Sequence, residues 1–181
     1  DVCSSDLGGE FPASVNAAVE GFSRDGHAWL RSVLADGVVP KGEMFVAGVT
    51  RTGRAYQEAQ KIFLAADSNA GTFIHEFGHW LERQPGTLRK SVDFLLKRTK
   101  GGKLVKMREL FPEFGYRGSE VAIPDGFAHP YAGKIYKEKG KFVATEILSM
   151  GLEYLYRDPV KFYREDRDFF EFILSFITGT S

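Results

Sequence analysis

The feature that most constrains this chain is the pattern H-E-x-x-H, formed by His75, Glu76 and His79 in the stretch HEFGH at 75–79. Residues four positions apart lie on the same face of an α-helix, so both imidazoles can reach one metal ion from adjacent turns. Glu76 lies beside that metal and is directed at its open position, where it can accept a proton from water. The pattern therefore predicts a helix with a metal centre on one face.

The surrounding sequence predicts this helix over residues 73–83. The polar loop at 67–72 supplies N-cap chemistry before it, and the Pro-Gly pair at 85–86 ends it. Gly78 lets another segment pack closely against the helix. The predicted buried side consists of Phe73, Phe77, Trp80 and Leu81. The alternative is that the two histidines are ordinary helix residues that make hydrogen bonds and hold no metal.

A catalytic zinc site needs a third protein ligand and keeps one position for water. A second helix is predicted over 144–156, and at helical spacing Glu146, Ser149 and Glu153 share its polar face. We predict Glu146 as the third ligand, with Glu153 and Ser149 as supporting residues that orient the ligands. The alternative for this face is simple exposure to solvent. The weaker candidates for the third ligand are His129, Asp93, Glu120 and Asp125.

Two tyrosines shortly before Glu146 are candidates for stabilising the oxyanion that forms during hydrolysis. Tyr131 and Tyr136 lie in the stretch HPYAGKIY at 129–136, and Tyr136 is preferred because it is nearer to Glu146 along the chain. The ring of His129 is a further candidate for this role. The alternative for each tyrosine is packing in the core or at the surface.

The composition is that of a globular chain large enough for a hydrophobic core. The chain has 181 residues, of which 43% are hydrophobic, and this is the size of one ordinary domain. Its 24 basic and 24 acidic residues give zero net charge, which argues against a dedicated nucleic-acid binder and a membrane-surface protein. A single cysteine excludes an internal disulfide framework. No apolar run is long enough to span a bilayer, and no signal peptide is visible.

We expect three segments along the chain. Residues 1–7 look like the translation of a sequencing adapter, so we expect them to be an artefact that hides upstream domains; the alternative is the polar tail of a processed chain. Residues 8–40 form an N-terminal remnant or lead-in with a short helix at 26–34. Residues 41–181 form the domain that carries the motif.

Hydrophobic spacing and turn signals predict further elements within that domain. These are strands at 44–49 and 61–66 with a hairpin turn at 51–53, a helix at 87–111 interrupted at 101–102, a long ordered loop with short pieces of structure at 112–142, and a last helix at 159–177. Residues 89–108 contain eight lysines and arginines and one acid. This basic run is either a solvated helical face or an electropositive rim for an acidic partner.

The motif and the later glutamate-bearing helix resemble the zincin superfamily, and within it the gluzincins, whose ligands are two histidines and a glutamate. The HEFGH helix, the Asp-Pro break at 158–159 and the Phe-rich last helix are similar to anthrax lethal factor-like zincin domains. The stretch YAGKIY followed by TEILSMGLE also resembles the metallopeptidase-like C-terminal regions of phage Mu F-type head-morphogenesis proteins. The resemblance covers about residues 43–177.

The resemblance implies an α+β fold in which a small, mostly antiparallel sheet packs on the motif helix and a mainly helical part follows. It implies that His75, His79 and Glu146 hold zinc, and that the substrate pairs with an edge strand beside the cleft. We take 61–66 as that strand. Its predicted substrate-binding residues are Ile62, Phe63, Leu64 and Ala65.

The function predicted from these features is a zinc metallopeptidase that hydrolyses a peptide bond in a protein or peptide substrate, in a phage-associated or toxin-like setting. The first alternative is a phage structural or morphogenesis module that keeps the zincin fold with little or no turnover. The second is a delivered effector that cleaves one host protein by the same chemistry. The third is a nucleic-acid module that uses the basic run at 89–108, against which the zero net charge argues. No membrane partner is expected, and the location stays open between virion, bacterial cytoplasm and a target cell.

Overall fold

Helices and short strands alternate along the described part of the chain. The computed structural model describes residues 13–35, 38, 46–49, 54–58 and 61–180. The helices are α1 (Ala13–Val33), α2 (Ala70–Glu82), α3 (Thr87–Thr99), α4 (Met107–Leu110), α5 (Ile147–Arg157), α6 (Pro159–Glu165) and α7 (Arg167–Thr178). The strands are β1 (Val46–Val49), β2 (Tyr56–Glu58), β3 (Lys61–Leu64), β4 (Val105–Lys106), β5 (Val121–Ala122), β6 (Lys134–Glu138) and β7 (Lys141–Thr145). A 3-10 turn, Pro130–Gly133, precedes β6.

The described strands form two small sheets. In the first sheet, β3 lies in the centre and pairs in parallel with β1 and antiparallel with β2. In the second sheet, β4, β5, β6 and β7 follow one another in that order, and every pairing is antiparallel. Together with the helices, these sheets confirm the predicted α+β class, with mostly antiparallel pairing.

The first sheet differs from the predicted hairpin. The two predicted strands, seen here as β1 and β3, run parallel, so they are not hairpin neighbours. The three-residue strand β2 was not predicted, because so short a run carries almost no periodic signal. Residues 1–7, 44–45 and 51–53, for which an artefact, a strand start and a turn are predicted, lie outside the described residues.

A long ordered loop with short pieces of structure is predicted at 112–142, and the structure has β5, the 3-10 turn, β6 and the start of β7 there. The turn between β6 and β7 is formed by Lys139 and Gly140, which both have positive φ angles, 47° and 80°. Two successive residues with positive φ are typical of a tight antiparallel hairpin. Because β7 extends to Thr145, the helix predicted over 144–156 begins at Ile147 instead.

Two other predicted helices are divided in the structure. The helix predicted over 87–111 with an interruption at 101–102 ends at Thr99, after which Lys100 and Gly101 both have positive φ angles, and helical structure returns in α4. The helix predicted over 159–177 divides into α6 and α7 at Asp166. The carboxylate of Asp166 accepts a hydrogen bond from the backbone N–H of Phe169, which caps the start of α7. The short helix predicted at 26–34 is the last part of α1.

The prediction of α2 is confirmed, although the helix starts earlier than residue 73. Asn69 and Thr72 form a capping box, in which each side chain accepts a hydrogen bond from the other residue's backbone N–H. This local pairing starts the helix at Ala70. The apolar side of α2 then enters the core, which joins it to α1, β3, α5 and α7. Fully buried members of that core are Leu30, Ile62, Phe73, Ile74, Phe77, Leu148, Phe169 and Ile173.

A glycine lets α2 and α5 approach each other closely. A Cβ atom added to Gly78 would lie 2.5 Å from Cα of Ser149 and 2.6 Å from its backbone nitrogen. No real side chain fits at that distance, so the two backbones touch here. The contact places the start of α5 directly beside the motif face of α2.

Candidate metal centre

Three potential metal ligands from α2 and α5 converge at this contact. The Nε2 atoms of His75 and His79 each lie 3.3 Å from Oε2 of Glu146. Their ligand atoms lie within 4.8 Å of one another and form the single group found among the described residues that could hold a metal ion. Glu146 is the N-cap residue of α5 and not part of its first turn. The structure therefore brings the three predicted ligands together.

The spacing of this group fits a zinc ion. Bonds of about 2.0–2.1 Å at tetrahedral angles place neighbouring ligand atoms about 3.3 Å apart. The two His–Glu separations match that value. Two imidazole nitrogens and one carboxylate oxygen are also a donor set of catalytic zinc sites, which keep a fourth position for water.

The carboxylate of Glu146 is held in place on both oxygens. Its side chain is completely buried, and it accepts hydrogen bonds from Tyr136 Oη at 2.6 Å and from Ser149 Oγ at 2.7 Å. Burial opposes its ionisation, but the neighbouring imidazoles outweigh burial and hold the pKa of Glu146 well below its usual range. The centre therefore carries an anionic ligand in a fixed orientation.

His75 is held through its second ring nitrogen. Its Nδ1 lies 2.9 Å from Oε2 of Glu153, whose Oε1 accepts a hydrogen bond from Arg157 at 2.7 Å. Burial lowers the pKa of His75, but its hydrogen bonds to Glu146 and Glu153 raise this pKa to about 10. The negative charge of these two carboxylates stabilises a proton on the imidazole, and it would stabilise a metal cation bound to the imidazole in the same way. Ser149 and Glu153 thus lie where supporting residues were predicted.

Both predicted tyrosines line the cleft in front of the ligands. Burial and the negative charge of Glu146 raise the pKa of Tyr136 and of Tyr131 well above the usual range, so both phenols stay protonated. Tyr136 donates a hydrogen bond to Glu146, the predicted third ligand. Sequence spacing did not predict this contact. His129, the other candidate, stacks its ring on Phe111 and does not line the cleft.

Glu76 lies in the wall of the same cleft, which has a volume of about 730 Å³. Its side chain is 7% exposed, and burial raises its pKa, although both motif histidines oppose that effect. A buried carboxyl with a raised pKa beside a metal site is suited to proton transfer near neutral pH.

The predicted substrate strand is wrong in this structure. Ile62, Phe63, Leu64 and Ala65 are buried, between 0% and 7% exposed, and β3 is covered on both edges by β1 and β2. A substrate chain cannot pair with a strand whose two edges are occupied. In the first sheet the strand that lines the cleft is β2, and the residues of this segment that do so are Arg54, Ala55, Tyr56 and Gln57; β6 and β7 of the second sheet line the cleft as well.

The weaker candidates for the third ligand are engaged elsewhere. Asp93 pairs with Arg89 on the exposed side of α3, and Asp125 accepts a hydrogen bond from Arg98. Glu120 lines the cleft but pairs with Lys134. The Nδ1 atom of His129 accepts a hydrogen bond from the backbone of Tyr131.

Two charged residues of this region were missed by sequence reasoning. The Glu82 carboxylate accepts hydrogen bonds from the backbone N–H of Thr145 at 2.6 Å and from its hydroxyl at 2.5 Å. The Thr145 hydroxyl also accepts a hydrogen bond from the N–H of Ile147, so Glu82 connects the end of α2 to the residues on both sides of Glu146.

Lys134 is 2% exposed and also lines the cleft. No sequence signal distinguishes Lys134 from Lys137, the other lysine of β6.

Comparison with known protein families, with characterised proteins and with solved structures finds no match. The interpretation of the centre therefore depends on its geometry. Within the described residues, no helix has both the length and the apolar character needed to cross a membrane.

Proposed function

We propose that this chain is a zinc-dependent peptidase of the gluzincin type, which hydrolyses a peptide bond in a protein substrate. The observation that carries the proposal is the convergence of His75, His79 and Glu146 at spacings of 3.3 Å. The group opens on a cleft whose wall contains Glu76. Three ligands and a neighbouring carboxyl are typical of catalytic zinc sites, whereas structural sites are usually closed by four ligands. This difference favours an enzyme over a structural module.

The residues of the chain have separate roles in this reaction. Zinc, when bound, supplies a Lewis acid that acidifies water and polarises the substrate carbonyl. Glu76 accepts a proton as the water oxygen bonds to the carbonyl carbon, and it passes that proton to the amine as the C–N bond breaks. Tyr131 and Tyr136 both line the cleft as protonated phenols beside Glu146, and we assign the hydrogen bond to the oxyanion to this pair.

The substrate chain is proposed to pair with β2. Among the described strands, β2 lies at one edge of the first sheet, and Tyr56 and Gln57 line the cleft. Backbone pairing along an open edge binds an extended peptide with little dependence on its side chains. This arrangement would carry the scissile bond past the open side of the metal centre.

The experiment that tests the function starts with elemental analysis of the purified protein and its Glu146→Ala variant. We expect one zinc per chain in the parent and a large loss in the variant, because the variant lacks the oxygen ligand. Glu171→Ala is the control, since Glu171 is an exposed residue of α7 that pairs with Arg167 on its own helix. A folded parent that binds no zinc would contradict the proposal. Zinc retained by Glu146→Ala would disprove the ligand assignment.

The second step is a peptide-library cleavage screen with the zinc-loaded parent. Cleavage that disappears with a chelator and returns with added zinc supports the peptidase. A zinc-loaded protein that cleaves no peptide and no protein substrate would favour the structural module instead.

A further inference from the structure

Lys134, the first residue of β6, has an unusual position for a lysine. Its side chain is 2% exposed, although lysine is almost never fully buried without a partner. Its ammonium nitrogen lies 2.9 Å from Oε1 of Glu120. Burial opposes ionisation of Glu120, but the hydrogen bond and charge of Lys134 outweigh it and lower the pKa of this carboxyl. Lys134 and Glu120 therefore form an ion pair in the wall of the cleft.

Three tyrosine rings surround the same ammonium group. Its nitrogen lies 4.8 Å from the ring centre of Tyr136, 5.2 Å from that of Tyr131 and 5.4 Å from that of Tyr116. All three distances are within the range of cation–π attraction, which is strongest when the cation is withdrawn from water. Two of these three rings are the tyrosines of the candidate active site.

The backbone of Lys134 also contacts the metal centre. Its carbonyl oxygen accepts a hydrogen bond from the N–H of Glu146 at 3.2 Å, and the Tyr136 hydroxyl donates to the side chain of the same glutamate. Lys134 therefore reaches Glu146 by two routes, one through the main chain and one through the tyrosine ring. Substitution of the lysine side chain removes only the second route.

We propose that Lys134 is a positioning residue, which holds Tyr131 and Tyr136 by their ring faces so that the Tyr136 hydroxyl stays on the third metal ligand. The proposal rests on the proposed function, because it takes Glu146 as that ligand. The ion pair with Glu120 satisfies the Lys134 ammonium but does not explain why the rings of Tyr131 and Tyr136 also lie against it. The positioning role accounts for these two contacts. Hydrogen-bond partners of metal ligands commonly affect metal affinity by about 10- to 100-fold.

The test is a double-mutant cycle on zinc affinity, with Lys134→Met, Tyr136→Phe and the double variant. Methionine keeps the length and the apolar stem of lysine but removes its charge. We expect Lys134→Met to weaken zinc binding roughly tenfold in the parent and by no more than about twofold when Tyr136→Phe is already present. Competition with a chromophoric chelator measures each Kd. Equal losses in both backgrounds, or no loss in the parent, would overturn the proposal.

Lys137→Met is the matched control for this cycle. Lys137 lies on the same strand, and its ammonium nitrogen lies 4.4 Å from the ring centre of Phe142; neither of these two residues lines the cleft. We expect this variant to keep the zinc Kd of the parent. If Lys134→Met does not fold, Lys134→Gln replaces it in the cycle, because glutamine also removes the ammonium from the rings but keeps a polar end, and the same non-additive pattern is expected.

A second readout needs no metal and separates this proposal from the proposed function. Near-ultraviolet circular dichroism reports how rigidly tyrosine rings are held. We expect Lys134→Met to reduce the tyrosine signal and Lys137→Met to leave it unchanged. If the parent bound no zinc, the proposed function would fail, while this signal would still decide whether Lys134 orders the rings. An unchanged tyrosine spectrum in folded Lys134→Met would count against the positioning role.

Discussion

Nδ1 of His75 lies 2.9 Å from Oε2 of Glu153, two turns of α5 after the proposed ligand Glu146. The other carboxylate oxygen of Glu153 accepts a hydrogen bond from Arg157, so the carboxylate is fixed from both sides. A Cβ atom on Gly71 would lie 3.2 Å from Nε of Arg157, which shows that this arginine packs closely on α2. Arg157 therefore fixes Glu153, and Glu153 orients the His75 imidazole through Nδ1. The other ring nitrogen, Nε2, then faces the proposed metal position.

The first prediction concerns Glu153→Gln. Glutamine keeps the shape of the side chain but removes the charge that orients His75, so we expect zinc affinity to fall by about 10- to 100-fold. The matched control is Glu171→Gln, because Glu171 also accepts a hydrogen bond from an arginine Nε at 2.7 Å, on an exposed face of α7. Zinc titration against a competing chelator measures both variants. Equal affinities for the two variants would disprove the role of Glu153.

The second prediction concerns Glu76→Gln. Glu76 lines the cleft and is not one of the three ligands, so the variant should bind zinc like the parent. Peptide cleavage should fall by about 100- to 10,000-fold, since glutamine cannot accept the proton of the attacking water. Elemental analysis and a cleavage assay on the same preparation give both values. A fully active variant would remove Glu76 from the mechanism.

The third prediction concerns the contact between α2 and α5. In Gly78→Ala the new methyl group meets backbone atoms of Ser149 within 2.6 Å, so α5 must move. We expect the free energy of unfolding to fall by about 1–3 kcal/mol and zinc affinity to fall with it, because Glu146 is the N-cap residue of α5 and moves with the helix. Gly115→Ala is the control, since nothing lies within 4 Å of its added Cβ. Urea denaturation curves that coincide for the two variants would contradict this account of the crossing.

The fourth prediction concerns Arg98, which anchors the end of α3 to the α6–α7 junction. Its guanidinium binds the carboxylates of Asp166 and Asp125 and the carbonyl of Gly126, and it lies over the ring of Phe127. Arg98→Met leaves the buried Asp166 without its cation, so we expect a loss of about 3 kcal/mol or more in the free energy of unfolding.

The control for this prediction is Arg89→Met. Arg89 pairs with Asp93 at 3.6 Å, but both side chains are mostly exposed, so its removal should change stability by less than about 0.5 kcal/mol. Thermal and urea denaturation of both variants measure the difference. A stable Arg98→Met protein would show that Asp166 is satisfied by its backbone hydrogen bonds alone.

Local spacing was sufficient to predict the residues of the centre. The interval between His75 and His79 places both rings on one helix face whatever the rest of the fold does. The spacing of Glu146, Ser149 and Glu153 likewise placed them together, although Glu146 caps α5 and does not lie within it. Helical periodicity is set by backbone hydrogen bonds between near neighbours, so a short stretch of sequence contains enough information to predict it.

Tertiary structure alone decided how the cleft around these residues is built. The place of β3 in the centre of its sheet depends on pairing with β1 and β2, and β2 is too short to leave a pattern in the sequence. The burial of Lys134 among Tyr116, Tyr131 and Tyr136 requires segments up to 20 residues apart to fold onto one another. Such contacts depend on which distant strands pair and which side chains that pairing covers, and neither residue spacing nor composition contains that information.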